Sequence, residues 1–216
     1  MREIVKRSGI IGESKNRRTE SMTEESFLAR RVSKIFEPMV IALSLASIAG
    51  WHANIRGGAF ALYMLYLVGV GVVIAIARVK FMRSMKTNWD VSSRVKRVRL
   101  LILLLAFSVV LFWSIHVWYN SVLTSVYELF VLWLIGFFLV TLSIKISGHM
   151  AVLVFAIGLL VSWFEISFWS LSILVPILGW SRVKLKRHSV LEVVLGVIYS
   201  LGVLFLYGKT GLRIFR

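Results

Sequence analysis

The chain has 216 residues, 58% of them hydrophobic, with a formal charge of +16 from 26 Lys and Arg against 10 Asp and Glu. A mean hydropathy of +0.83, carried in long uncharged runs, excludes a water-soluble core and marks an integral membrane protein of one domain. The basic excess lies between the apolar runs, where topology and anionic headgroups account for it without nucleic acid, and the absence of Cys excludes disulfides and thiolate metal sites.

Residues 1–37 are polar and carry nine Lys or Arg and six Glu. No apolar region stands near the start, so the segment is not a secretory signal. Ser21-Met22-Thr23-Glu24 reads as a helix-capping box. Beyond it Phe27, Leu28, Val32, Ile35 and Phe36 share a helical face opposite Arg30, Arg31 and Lys34, the pattern of a helix lying on the membrane surface. The segment is therefore a basic tail with an interfacial helix, followed by a transmembrane domain over 38–216.

The apolar runs predict spans at 38–54, beginning with Pro38, and at 59–78, after a turn through Gly57 and Gly58. A polar connection from Arg78 to Arg99 holds eight Lys or Arg and one acid, Asp90. Spans at 100–119 and 122–144 form a tight hairpin through Tyr119-Asn120-Ser121. Further spans at 150–165 and 167–180 meet near Glu165, and the last covers 189–207. The fold class is all-α, a polytopic membrane helix bundle of about seven transmembrane helices, with six as the alternative. The fifth and sixth are short: 14 to 16 residues give only ~21–24 Å of helix against a hydrocarbon core of ~30 Å. The polar turns at 145–149 and 181–188 would then sit below the headgroups, where charge is tolerated only in protein or a wet cavity.

Those two turns return to one face of the bilayer and carry the chemistry. Ser147, Gly148 and His149 precede a helix, so their backbone N–H groups and the helix dipole favour an anion, and Gly148 lets the backbone approach it. Arg182 offers a planar fork for phosphate oxygens. His188 begins another helix with Glu192 four residues on, where a carboxylate could hold one imidazole nitrogen and leave the other as a nucleophile.

In these segments the chain resembles the type 2 phosphatidic acid phosphatase superfamily. Ile146-Ser147-Gly148-His149 is similar to its Pro-Ser-Gly-His motif without the proline. Ser181-Arg182, five residues, His188, three residues and Glu192 resemble its Ser-Arg…His…Asp motif, with Glu in place of Asp. The stretch from Lys86 to Arg97 resembles a divergent first motif, with Asp90 followed by Arg94 and Arg97. The resemblance covers roughly residues 80–205. It implies a membrane lipid phosphate or isoprenoid diphosphate phosphatase working without metal or other cofactor. His188 would be the nucleophile forming a phosphohistidine, Glu192 would orient it, and His149 would be the acid and base. Arg182, Arg94 or Arg97, Lys86, Ser147 and Gly148 would bind the phosphate. A phosphotransferase passing the phosphoryl group to an alcohol, and a non-catalytic scaffold or transporter with degenerate motifs, are the alternatives.

Lys184, Lys186 and Arg187 read as interfacial anchors, and Trp and Tyr at 51, 113, 118, 119, 163, 169 and 180 as an aromatic belt. His52 and His116 read as packing or span-end residues, and Glu128 as lying near the outer interface or bonding a neighbouring helix. Seven alternating spans put 22 Lys or Arg on the face of the N-terminus and the two turns, against four on the other. The N-terminus and site are accordingly expected in the cytoplasm.

Overall fold

The computed structural model describes residues 24–84, 94–118, 121–164 and 166–209. The capping residues Ser21 to Thr23, Lys86, Asp90, Tyr119, Asn120, Glu165 and the terminal cations Arg213 and Arg216 lie outside them. The described chain is helical, without a strand, and runs α1 (Glu24–Ile35), α2 (Pro38–His52), α3 (Gly57–Ser84), α4 (Arg94–Trp118), α5 (Ser121–Ser143) and α6 (Gly148–Phe164). A 3-10 helix (Ile166–Ile173) then leads into α7 (Leu174–Lys184), and α8 (Val190–Lys209) closes the bundle.

Five helical stretches are long and apolar enough to cross a bilayer: Ser26–His52, Gly57–Ser84, Lys96–Val117, Val122–Ser143 and Val190–Lys209. Their outward faces are apolar: on α3 Leu62, Leu65 and Val68 are exposed, Leu65 by 68%. Such a surface is stable only against lipid. The protein is a multi-pass integral membrane bundle. The two spans expected to be short are the ones that depart from a full-length α-helix. Helix α6 has 17 residues, about 25 Å, and the segment expected as a sixth span divides into the 3-10 helix and α7.

Two boundaries differ from the sequence reading. Helix α3 continues six residues past Arg78, and α4 begins six residues before Leu100. Both extensions are rich in Arg and Lys, good helix formers that continue a helix after it leaves the hydrocarbon. The extension of α3 is anchored, since Arg78 forms an ion pair with Glu37 at the α1–α2 break and Met82 is buried.

The core forms around α6, which packs on α8, α2, the 3-10 helix and α7, while α4 and α5 pair as a hairpin. Buried polar groups tie the helices together. Trp133 Nε1 donates to Ser200 Oγ at 3.0 Å, Ser200 Oγ donates to the Ala151 carbonyl at 2.7 Å, and Tyr63 and Tyr127 join hydroxyls at 3.0 Å. In lipid, where apolar association gives helices little preference for each other, such bonds and close small-residue contacts set the packing. Gly196 of α8 is one such contact: a Cβ there would lie 2.7 Å from the Ser147 carbonyl oxygen.

Helix α1 packs on α7. The docked face is built from Ala29, which is fully buried, with Val32 and Phe36 set against the Met150, Leu153, Ile157, Leu178 and Val193 cluster. Phe27, Leu28 and Ile35, expected on the same apolar face, remain exposed. Ala29 and Ser33, four apart, form the small-residue stripe that lets two backbones approach.

Candidate active site

The turn between α7 and α8 explains the spacing of Arg182 and His188. Helix α7 ends in a Schellman motif, with Lys186 N–H donating to the Val183 carbonyl at 2.9 Å and Arg187 N–H to the Arg182 carbonyl at 3.1 Å. Lys186 takes the left-handed position at φ 52°, where glycine is usual. The Arg182 carbonyl also accepts from His188 N–H at 3.4 Å, so one helical end-turn carries the chain from Arg182 back over itself to His188. Ser189 then caps α8, its Oγ accepting from the Glu192 N–H at 3.2 Å. In a reciprocal capping box the Glu192 carboxylate would reach back to the cap. Here it turns to the histidine.

His188 Nδ1 donates to Glu192 Oε2 at 2.7 Å. The same oxygen pairs with Lys145 Nζ at 2.9 Å, and that ammonium also donates to the Arg187 carbonyl at 3.3 Å. Lys145, 42 residues before Arg187, thus ties its own turn to the α7–α8 turn through one carboxylate oxygen. The Ser147 N–H donates to the Glu192 carbonyl at 3.0 Å, which fixes the start of α6 against the first turn of α8. With Nδ1 committed to Glu192, Nε2 is the imidazole nitrogen left with a lone pair.

The elements of the expected anion cradle divide. The Ser147 N–H is taken by Glu192, so the N-terminal donors of α6 begin at Gly148. The Ser147 Oγ, in contrast, is fully buried with no hydrogen-bond partner. A buried hydroxyl in that state costs about 1–3 kcal/mol and suits an acceptor that arrives with a ligand. At Gly148 an added Cβ would meet Phe137 of α5 at 3.4 Å, an ordinary packing distance. His149, in the first turn of α6, is half-buried and lies at the same end as His188.

Arg182 is only 2% exposed. Its Nη1 donates to Ser33 Oγ at 2.7 Å, and the adjacent Ser181 Oγ donates to the Ala29 carbonyl at 2.7 Å. Burial of His188 pushes its pKa below the usual histidine value, and the Arg182 and Lys145 charges add to that. The Glu192 hydrogen bond works the other way without overcoming it. The surroundings thus favour the neutral ring.

Arg94 and Arg97 lie in the first turn of α4, which packs on α5 and α3. Lys86 lies outside the described residues. Among the described residues no group of His, Asp and Glu side chains converges as a metal site. Away from this end, His52 stacks on Trp163 at 4.9 Å, and His116 on Phe112 at 5.9 Å, both as packing residues. Glu128 is exposed in the first part of α5.

Two members of the site were not assigned roles from sequence. Lys145 has a legible signal, being the one cation in the α5–α6 turn. Ser33 has none beyond the Ala29 spacing, because nothing in a linear sequence says that α1 docks on α7. Comparison with protein-family models, with curated proteins and with solved structures finds no match for this chain, so the site stands on its own geometry.

Proposed function

We propose that this chain is a metal-independent phosphatase of membrane lipid phosphates or diphosphates, a divergent relative of the type 2 phosphatidic acid phosphatases. The observation that carries the reading is the 2.7 Å bond from His188 Nδ1 to Glu192 Oε2, made beside the Ser147 turn and next to Arg182. The Nε2 lone pair attacks phosphorus, the P–O bond to the lipid breaks, and the phosphoryl group is carried on His188. His149 gives its proton to the departing oxygen, then removes one from the water that releases phosphate. Arg182, Ser147 Oγ and the Gly148 N–H stabilise the phosphoryl oxygens, with Arg94, Arg97 or Lys86 as further cations. Glu192 holds the ring and stabilises the charge it acquires.

The site and the N-terminus are assigned to the cytoplasmic side by the 22-to-four imbalance of Lys and Arg between the two faces. A reporter active only in the cytoplasm should work when fused at residue 1 and fail when fused after Tyr119. The opposite result overturns the orientation.

A non-catalytic reading draws on one observation, the coverage of Arg182 by Ser33. The deciding experiment incubates detergent-solubilised protein with 32P-labelled phosphatidate, phosphatidylglycerophosphate and polyprenyl diphosphates in EDTA. Phosphate release and an acid-labile phosphoenzyme, both lost in His188→Ala, are expected. Release retained in His188→Ala removes the assignment, phosphorylated acceptor in place of free phosphate identifies a transferase, and no turnover of any substrate favours the scaffold.

A further inference from the structure

Lys145 has no counterpart in the motif pattern that the site resembles, yet it touches both halves of the α7–α8 turn. Its ammonium lies 2.9 Å from Glu192 Oε2 and 3.3 Å from the Arg187 carbonyl. Because His188 Nδ1 is bonded to that same Oε2, ammonium and imidazole share one acceptor. Two consequences follow from electrostatics. Negative charge drawn toward Lys145 is less available to stabilise an imidazolium, and the ammonium itself repels one.

We propose that Lys145 is a positioning residue for His188: by sharing Glu192 Oε2 it keeps the imidazole neutral, with its proton on Nδ1 and its Nε2 lone pair free. A carboxylate alone would do the opposite. A lone Glu within 2.7 Å draws a proton onto the histidine and silences it as a nucleophile. The cation allows the carboxylate to fix the ring without fully charging it. Partial exposure of Lys145, 38% of its side chain, leaves room for it to exchange partners as a phosphoryl group arrives.

The charged groups facing His188 come from each neighbouring element. Glu192 belongs to α8, Lys145 to the α5–α6 turn and Arg182 to α7, and all three bear on the imidazole. Helix α6, packed on α8, carries His149 in its first turn, and Arg187 precedes His188 in the chain. Helix α1 gives the Ser33 hydroxyl to Arg182, and its cations Arg30, Arg31 and Lys34 are exposed. Of the cations bearing on the ring, Lys145 is the one that also binds its carboxylate, so its removal acts through both routes in one direction.

The inference rests on the phosphatase reading only for its consequence in turnover, and its test does not need turnover. The chain has four histidines, so 13C-histidine labelling in detergent micelles gives few signals, with His188 assigned by its loss in His188→Ala. In Lys145→Met the His188 titration midpoint should rise by about one pH unit, a tenfold change in protonation equilibrium, while Lys145→Arg should keep the wild-type midpoint. A midpoint unmoved or lowered in Lys145→Met overturns the proposal, as does a shift of equal size in Lys145→Arg. If phosphate is released, the acid limb of kcat/KM should move up with the midpoint. If none is released while the midpoint moves as expected, the phosphatase reading fails and the role of Lys145 stands.

Discussion

The guanidinium of Arg182 donates to the hydroxyl of Ser33 at 2.7 Å, joining residues 149 apart in the chain. Helix α1 thereby becomes part of the wall behind the candidate phosphate site. Removing this hydroxyl leaves a buried charged donor short of an acceptor, at a cost of about 1.5–3 kcal/mol. Ser33→Ala should therefore raise KM for a lipid phosphate about tenfold or more, with a smaller change in kcat, and Ser33→Thr should restore it. Steady-state kinetics on the purified variants would decide; an unchanged KM means that Ser33 does not set the guanidinium.

Gly196 governs how closely α6 and α8 approach. A methyl group placed there would lie 2.7 Å from the Ser147 carbonyl oxygen and 3.2 Å from Met150 Cβ. The first neighbour is backbone and cannot rotate away. Gly196→Ala should push the helices apart, weaken the bond from Ser147 N–H to the Glu192 carbonyl, and cost about 1–3 kcal/mol of stability. Thermal unfolding in detergent would register the loss, and activity should fall with it. Gly202→Ala on the same helix, where an added Cβ meets nothing within 4 Å, is the matched control.

Lys186 occupies a backbone conformation that L-residues disfavour, at φ 52° in an exposed turn. Lys186→Gly should raise stability by about 1 kcal/mol and leave activity unchanged, because its N–H bond to Val183 is retained. A fall in stability would mean that the lysine side chain contributes more than the strain removes.

Acid should loosen the site before it unfolds the bundle. The His188 pKa is lowered in the folded protein by burial, with Arg182 and Lys145 adding to the effect. Between that value and the unfolded one, about 6.5, the unfolded chain binds more protons. The stability associated with a neutral His188 is thus full above that window and is lost as pH falls through it. His188→Ala should flatten this part of the stability-versus-pH curve. An identical slope in wild type and variant would place the acid sensitivity in another group.

Composition and apolar runs determined the class of this protein, since long uncharged stretches have no stable environment other than lipid. They also located the short fifth and sixth segments, because helix length follows from a residue count. The bond between His188 and Glu192 was legible for a similar reason. Four residues on a helix make one turn, and His188 stands just before one while Glu192 lies in its first turn.

What the tertiary structure decided is which distant pieces meet. The face of α1 that docks is set by the small residues Ala29 and Ser33, whereas a hydrophobicity pattern points to Phe27, Leu28 and Ile35. Close backbone approach, closed by the bonds of Ser181 to Ala29 and of Arg182 to Ser33, decides the contact. The place of Lys145 depends on the crossing of α6 and α8 at Gly196, a contact between residues far apart in sequence.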